Sequence, residues 1–182
     1  LRYASFNIVS ITTTTGFVST DYLQWGAFAS TIFVIFALTG GCTGSTAGSV
    51  KIFRWQVVIA FLKKSLTTAI EPNRVVPIKI GRLSSDNALV NSVFVFLSAY
   101  VFSLLVLTVL IAVTGIDFDT AFGSVVACIT NSGPSISPVT GPAGNYSSLS
   151  SYCKYILSFA MLLGRLDVLT VVVLFSRSFW RN

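Results

Sequence analysis

Histidine is absent from this 182-residue chain, and acidic residues are scarce, six Asp and Glu against twelve Lys and Arg. Without histidine, no Ser–His pair can form and the commonest general base is missing. The three cysteines, Cys42, Cys128 and Cys153, are odd in number and far apart. That spacing argues against a disulfide framework and, with no CxxC pair, against a zinc site or other transition-metal centre. The aspartates are scattered, so no catalytic or metal constellation emerges and an enzyme is not expected. Charge of either sign is sparse too: 10% of residues, where a soluble domain carries about a quarter. What is present is apolar, 53% of the chain, with a mean hydropathy of +0.81. Most of this surface is therefore expected to face something other than water. The chain opens on Leu1 and Arg2, with no charged leader before an apolar run. It is expected to be the C-terminal part of a longer protein.

A net charge of +6 on a soluble protein would raise nucleic acid as a partner. Here the basic residues collect at the edges of apolar spans, which points to membrane topology and no nucleic acid. Asn87–Ile116 carries no charge and is long enough to cross a bilayer as a helix, which takes about 20 apolar residues. Trp25–Val50 is also uncharged, and apolar sequence resumes from Val50 to Leu62. Tyr155–Ser176 forms a third expected span, apolar except for Arg165 and Asp167 near its centre. Lys51, Arg54, Lys63, Lys64, Arg74, Lys79 and Arg82 lie between the first two spans, and Arg177 and Arg181 follow the last. By the positive-inside rule both regions are cytoplasmic. Asp117–Ser151 has no Lys or Arg and is read as external.

Two segments are too short to span. Tyr3–Thr13 and Phe118–Thr130 are each about a dozen residues, against a hydrocarbon core of about 30 Å. Each leads into a small-polar tract with a central glycine: Thr13-Thr14-Thr15-Gly16-Phe17 and Thr130-Asn131-Ser132-Gly133-Pro134. A single such tract would read as a surface turn. Two copies, each behind a short apolar helix and on the same side, read as pore loops. Irregular backbone at membrane depth is tolerated where it lines a watery cavity, and its carbonyls can replace the water around a cation. The short helix would aim its negative end at that cation.

The first span contains Thr39-Gly40-Gly41-Cys42-Thr43-Gly44-Ser45-Thr46-Ala47-Gly48-Ser49. Four glycines in eleven residues make a poor helix. Gly40, Gly44 and Gly48 recur every four residues, as a close helix–helix contact requires. The Thr and Ser density fits equally an unwound loop on an ion path. Arg165 stands near a bilayer centre, where a charge costs roughly 2.5–3.5 kcal/mol and so seeks a cavity or a partner. Asp167, two positions on, points to another helix face. Arg165 is therefore expected to reach another segment or the pore, as a tether or near a gate.

These stretches together resemble the Trk/Ktr/HKT superfamily of potassium transporters, most nearly its bacterial TrkH/TrkG branch. Gly40–Lys51 looks like the family's intramembrane gating loop, Thr13–Phe17 like its third filter segment, and Gly164-Arg165-Leu166-Asp167 like the motif in its last pore helix. The resemblance implies an all-α membrane protein built of K+-channel-like helix–pore loop–helix repeats. Residues 1–66 would supply the pore helix, filter and broken inner helix of the third repeat, 67–86 a cytoplasmic connector, and 87–182 the fourth repeat. It implies K+ as the transported ion, held at a selectivity filter of Thr14, Thr15, Gly16 and Phe17 with Asn131, Ser132, Gly133 and Pro134. Gly40, Gly41, Cys42, Thr43, Gly44, Ser45, Thr46, Ala47 and Gly48, with Arg165, would form the gate. No cofactor is expected in the chain. The implied partners are the lipid bilayer of a bacterial inner membrane, a second pore subunit in a homodimer, and a cytoplasmic nucleotide-binding ring of the TrkA type. The basic connector is either a docking surface for that ring or a plain cytoplasmic link. Ser49 departs from a frequent glycine, and Asp167 from the usual glutamate. The alternative function is a cation-coupled potassium symporter using H+ or Na+, and a further rival is a structural assembly subunit.

Overall fold

In the computed structural model the described residues are 1–45, 47–71, 79–80, 83–84, 87–168 and 170. They form helices α1 (Arg2–Thr12), α2 (Ala27–Thr39), α3 (Ile52–Ile70), α4 (Asn87–Ala112), α5 (Phe118–Ile129) and α6 (Ser151–Arg165). Short 3-10 turns at Tyr22–Trp25 and Tyr146–Ser148 lead into α2 and α6. Lys79–Ile80 and Leu83–Ser84 make a two-residue antiparallel pairing between α3 and α4, and the other regular elements among the described residues are helices.

Helix α4 is the element that sequence composition dictates most directly. Ala88–Ala112 is 25 residues long, about 37 Å at 1.5 Å per residue, and contains an 18-residue window of mean hydropathy 2.6. Only 33% of that window is buried within the chain. Phe102, Val106, Val109 and Val113 face outward, while Tyr100, Leu104, Leu107 and Ile111 face inward. The inward row packs on Val125, Ile129, Leu157 and Ala160 of α5 and α6, which form the main core. Gly115 (φ 82) then turns the chain back, and α5 starts at Phe118 with Asp119 in its first turn, where a carboxylate suits the helix dipole. At 11 and 12 residues, α1 and α5 are about 17 Å long and cannot cross a membrane.

The span expected as Tyr155–Ser176 is not continuous. Helix α6 begins at Ser151, whose N-cap is Ser150, and stops at Arg165. Asp167 takes φ 62, a left-handed conformation that aspartate tolerates better than most residues. This turn brings its carboxylate to Arg54 at 3.2 Å, and no glycine or proline follows Arg165 to mark the break. Residues 171–182 lie outside the described residues, so the end of that span and the orienting Arg177 and Arg181 do too, as do Arg74 and Arg82 of the connector.

Candidate ion pathway

The two tracts end their helices in the same way. Thr13 closes α1 at φ −83, ψ 0, and Thr130 closes α5 at φ −80, ψ −11. Thr14 and Asn131 follow in the left-handed region at φ 56 and 57. The amide of Thr14 donates to Ile11 O (3.0 Å) and that of Thr15 to Ser10 O (2.9 Å), while Asn131 donates to Cys128 O and Ser132 to Ala127 O (both 3.1 Å). This is the Schellman pattern of helix termination, written twice. The threonine hydroxyls repeat too. Thr13 donates to Val9 O at 2.7 Å and lies 2.8 Å from the Thr15 hydroxyl. Thr130 donates to Val126 O at 2.8 Å and lies 3.0 Å from the Ser132 hydroxyl. Gly16 (φ 83) and Gly133 (φ 89) come next. Left-handed backbone at a β-branched residue such as Thr14 costs about 1–2 kcal/mol, and strain of this kind gathers at functional sites.

The termination bonds use carbonyls inside the helices. Among the described residues, the carbonyls of Thr14, Thr15, Gly16, Asn131 and Ser132 accept no hydrogen bond from the protein. Neither α1 nor α5 carries a basic residue in its last turn, so the negative ends of both dipoles face the tracts unneutralised. The tracts also touch each other: a Cβ placed on Gly16 would sit 2.5 Å from Ser132 O. Beside them opens a recess of about 410 Å³ lined by Gly16, Phe17, Gly133, Pro134, Gly141 and Tyr146.

The glycine-rich stretch between α2 and α3 is an unwound loop in its described residues, not a helix contact. Gly40 (φ 66), Gly44 (φ 88), Ser49 (φ 73) and Lys51 (φ 69) all occupy conformations that break a helix. The buried Ser49 hydroxyl lies 2.6 Å from both Ala37 O and Leu38 O, capping the free carbonyl end of α2. Gly40 and Gly41 pack within the loop, against Ser49 and against Ser45 and Ala47. Gly48 instead lies on the second tract, where a Cβ would fall on Thr130 O. Cys42, Thr43, Gly44 and Ser45 are exposed, and Thr46 is outside the described residues. Arg165 is the last residue of α6, one position after Gly164, whose missing Cβ leaves room for Ile129 O.

Three features escape a reading of the sequence. Arg54 is not only an orienting charge. Its guanidinium binds Asp167, donates to Val50 O at 3.3 Å and lies 3.6 Å from the centre of the Phe96 ring. The signal available was an acid and a base, each set in otherwise apolar sequence beside one other charge, Arg165 and Lys51 respectively. Behind each tract, the short helix supplies a polar brace. Buried Asn7 accepts from Ser19 N (3.0 Å) and donates to the Thr20 hydroxyl (3.3 Å), and Ser124 pairs with the Thr140 hydroxyl (3.0 Å). Asn7 and Ser124 stand six positions before Thr13 and Thr130, so register alone could have revealed them. Third, Tyr22 donates to Ser135 O at 3.0 Å and Tyr146 to Gly133 O at 2.8 Å. Burial pushes both phenols above the usual tyrosine range, the Asp21 charge adding to it at Tyr22, so both stay protonated donors.

A profile of the TrkH family, described as cation transport protein, matches residues 1–181. This chain belongs to the TrkH family. The Trk system potassium uptake protein TrkH of Halomonas elongata is 40% identical over 183 residues, and that of Escherichia coli K12 is 36% identical over 182. Both alignments cover 100% of this chain and 37% of the relative. The crystal structure of the potassium transporter TrkH from Vibrio parahaemolyticus matches with a TM-score of 0.89 at 32% identity, over 97% of this chain and 37% of that one. The chain thus spans little more than a third of its TrkH relatives. Those relatives are transport proteins, not enzymes. Membership of the TrkH family makes this a membrane protein, which accounts for the outward apolar face of α4.

Proposed function

We propose that the chain supplies two of the pore loops through which a TrkH-type protein conducts potassium. Thr14–Phe17 and Asn131–Pro134 act as adjacent parts of one selectivity filter. The observation that carries this reading is the duplicated tract geometry, with backbone carbonyls left unpaired by the protein at the negative ends of two short helices. Oxygen atoms so placed suit a dehydrated monovalent cation. Gly40–Gly48 acts as the gate, its Gly48 resting on Thr130 at the base of the second tract, and Arg165, at the break in α6, acts with it. The driving force needs no chemistry, since a membrane potential supplies about 2.3 kcal/mol per charge per 100 mV.

A coupled symporter would need a titrating or sodium-binding group on the path. Among the described residues, the one carboxylate in the broken α6 span, Asp167, is tied to Arg54, which favours channel-like conduction. The remaining expectations from the family resemblance belong to the same proposal: a pairing of pore subunits, a TrkA-type ring on the cytoplasmic side, and the bacterial inner membrane. Lys63, exposed on α3, and half-buried Lys64 beside it support a cytoplasmic docking role, together with the basic residues that follow in the sequence.

The test is flux of potassium, rubidium, sodium and lithium into liposomes carrying the complete transporter, with Gly16→Ser alongside. Preferential passage of potassium and rubidium, eroded by the substitution, is the expected outcome. A Gly16→Ser protein that is correctly folded and as selective as its parent would remove Thr13–Phe17 from the filter.

A further inference from the structure

Tyr22 and Tyr146 occupy equivalent places in the two repeats. Each opens a 3-10 turn and directly follows an Asx cap: the Asp21 carboxylate accepts from Leu23 N at 3.1 Å, and the Asn145 side-chain oxygen accepts from Ser147 N at 3.0 Å. The turns aim both rings at the same place. Tyr146 reaches back within its own repeat to Gly133 O (2.8 Å), whereas Tyr22 crosses from the third repeat to Ser135 O (3.0 Å). The two hydroxyls therefore hold the carbonyls on either side of Pro134.

Those bonds matter because of what is missing around Gly133. Gly16 is wedged, its Cα facing Ser132 O so closely that a Cβ would come within 2.5 Å. Gly133 has open space where a Cβ would stand, at φ 89. Lacking a Cβ, Gly133 itself restrains the direction of its carbonyl little, which leaves the following proline ring and hydrogen bonding to set it. Among the described residues the Tyr146 hydroxyl is the donor to the Gly133 carbonyl, while the Gly133 amide donates to Ala127 O at 3.4 Å and Pro134 closes the peptide on the other side. Tyr22 is anchored more deeply, 1% exposed with its ring 4.3 Å from that of Phe33. Its bond fixes the next carbonyl but one to the wall of the neighbouring repeat.

We infer that Tyr146 and Tyr22 are positioning residues for ion selectivity, holding the outer end of the second tract by hydrogen bonds to Gly133 O and Ser135 O. The inference rests on the filter assignment above. It adds that the glycines of the two tracts are held by different means, Gly16 by close packing on Ser132 O and Gly133 by a phenol hydroxyl on its carbonyl. Loss of a hydroxyl would let the Gly133 peptide sample other orientations and blur the spacing of neighbouring oxygens, without removing any of them. Preorganised ligands depend on such supporting bonds.

The experiment measures potassium and sodium flux through the complete transporter in liposomes for the parent, Tyr146→Phe, Tyr22→Phe, the double variant and Gly16→Ser. Protein abundance and melting temperature in detergent are measured on the same preparations. Phenylalanine keeps each ring and removes only the donor. The expected result is a fall in the potassium-to-sodium ratio of about two- to tenfold for Tyr146→Phe, the range spanned by one hydrogen bond, with potassium flux, abundance and melting retained. The double variant is expected to fall further. Selectivity unchanged in Tyr146→Phe while Gly16→Ser loses it would overturn the inference and leave the filter standing. Selectivity unchanged in both would sink the filter assignment and the inference with it. Should the deeply buried Tyr22→Phe fail to accumulate, Tyr146→Phe decides alone, because its ring is only partly buried.

Discussion

Thr13 and Thr130 terminate their helices with matching dihedrals and matching hydroxyl bonds, yet Thr13 is exposed and Thr130 is 0% exposed. Helix α5 is buried along nearly its whole length between α2, α4 and α6. Helix α1 packs on α2 and presents Tyr3, Phe6 and Val9 outward. The same tract conformation thus persists in a crowded setting and in an open one. It is specified locally, by a Schellman ending and a threonine that bonds back to its own helix. Packing then decides how firmly each copy is held.

The largest effect is expected where the crowding is greatest. Gly164→Leu would drive a side chain into Ile129 O at the end of α5. A cost of about 3 kcal/mol, at the upper end for overpacking, should appear as loss of folded protein in detergent melting. Next comes the glycine pair. Gly16→Ser and Gly133→Ser share a positive-φ penalty of about 1–2 kcal/mol, but only Gly16→Ser also meets a backbone oxygen. Gly16→Ser should therefore melt lower than Gly133→Ser, and equal melting would mean the tracts do not touch as described. Thr130→Val should cost about 1–2 kcal/mol by leaving buried polar partners unpaired. The exposed Thr13→Val should cost less than half as much, by the same assay. The smallest effect is assigned to the ion pair. With side chains 20% and 41% exposed, Arg54→Gln should lower stability by less than about 1 kcal/mol. Flux in Arg54→Gln, Asp167→Asn and the double variant would then show whether this pair holds the two helix breaks together.

Sequence alone made α4 plain, because thirty uncharged residues leave few alternatives. It also marked both tracts and the stretch after α2 as places where a helix would not continue, since Gly, Thr and Ser cluster there. The break after Arg165 was not legible. No glycine or proline follows it, and the partner that Asp167 meets at the turn, Arg54, lies on another helix. Tyr22 and Tyr146 were hidden for a similar reason. Each sits in a short turn whose signal, an Asx residue followed by a tyrosine, is common in any loop. Their targets are set by how distant segments pack, and their likeness is obscured by the longer link from tract to turn at Tyr146 than at Tyr22. Local chemistry was readable, then, while contacts between distant segments were not.

The distribution of thiols has a practical consequence. Cys128 and Cys153 are buried, and Cys42 alone is exposed, at the entrance to the unwound loop. Within this chain, a maleimide or other thiol-selective label would therefore react at one place. Its rate would follow solvent access to that loop second by second, in unmutated protein. The loop comes with its own reporter, against a silent background from the other two cysteines.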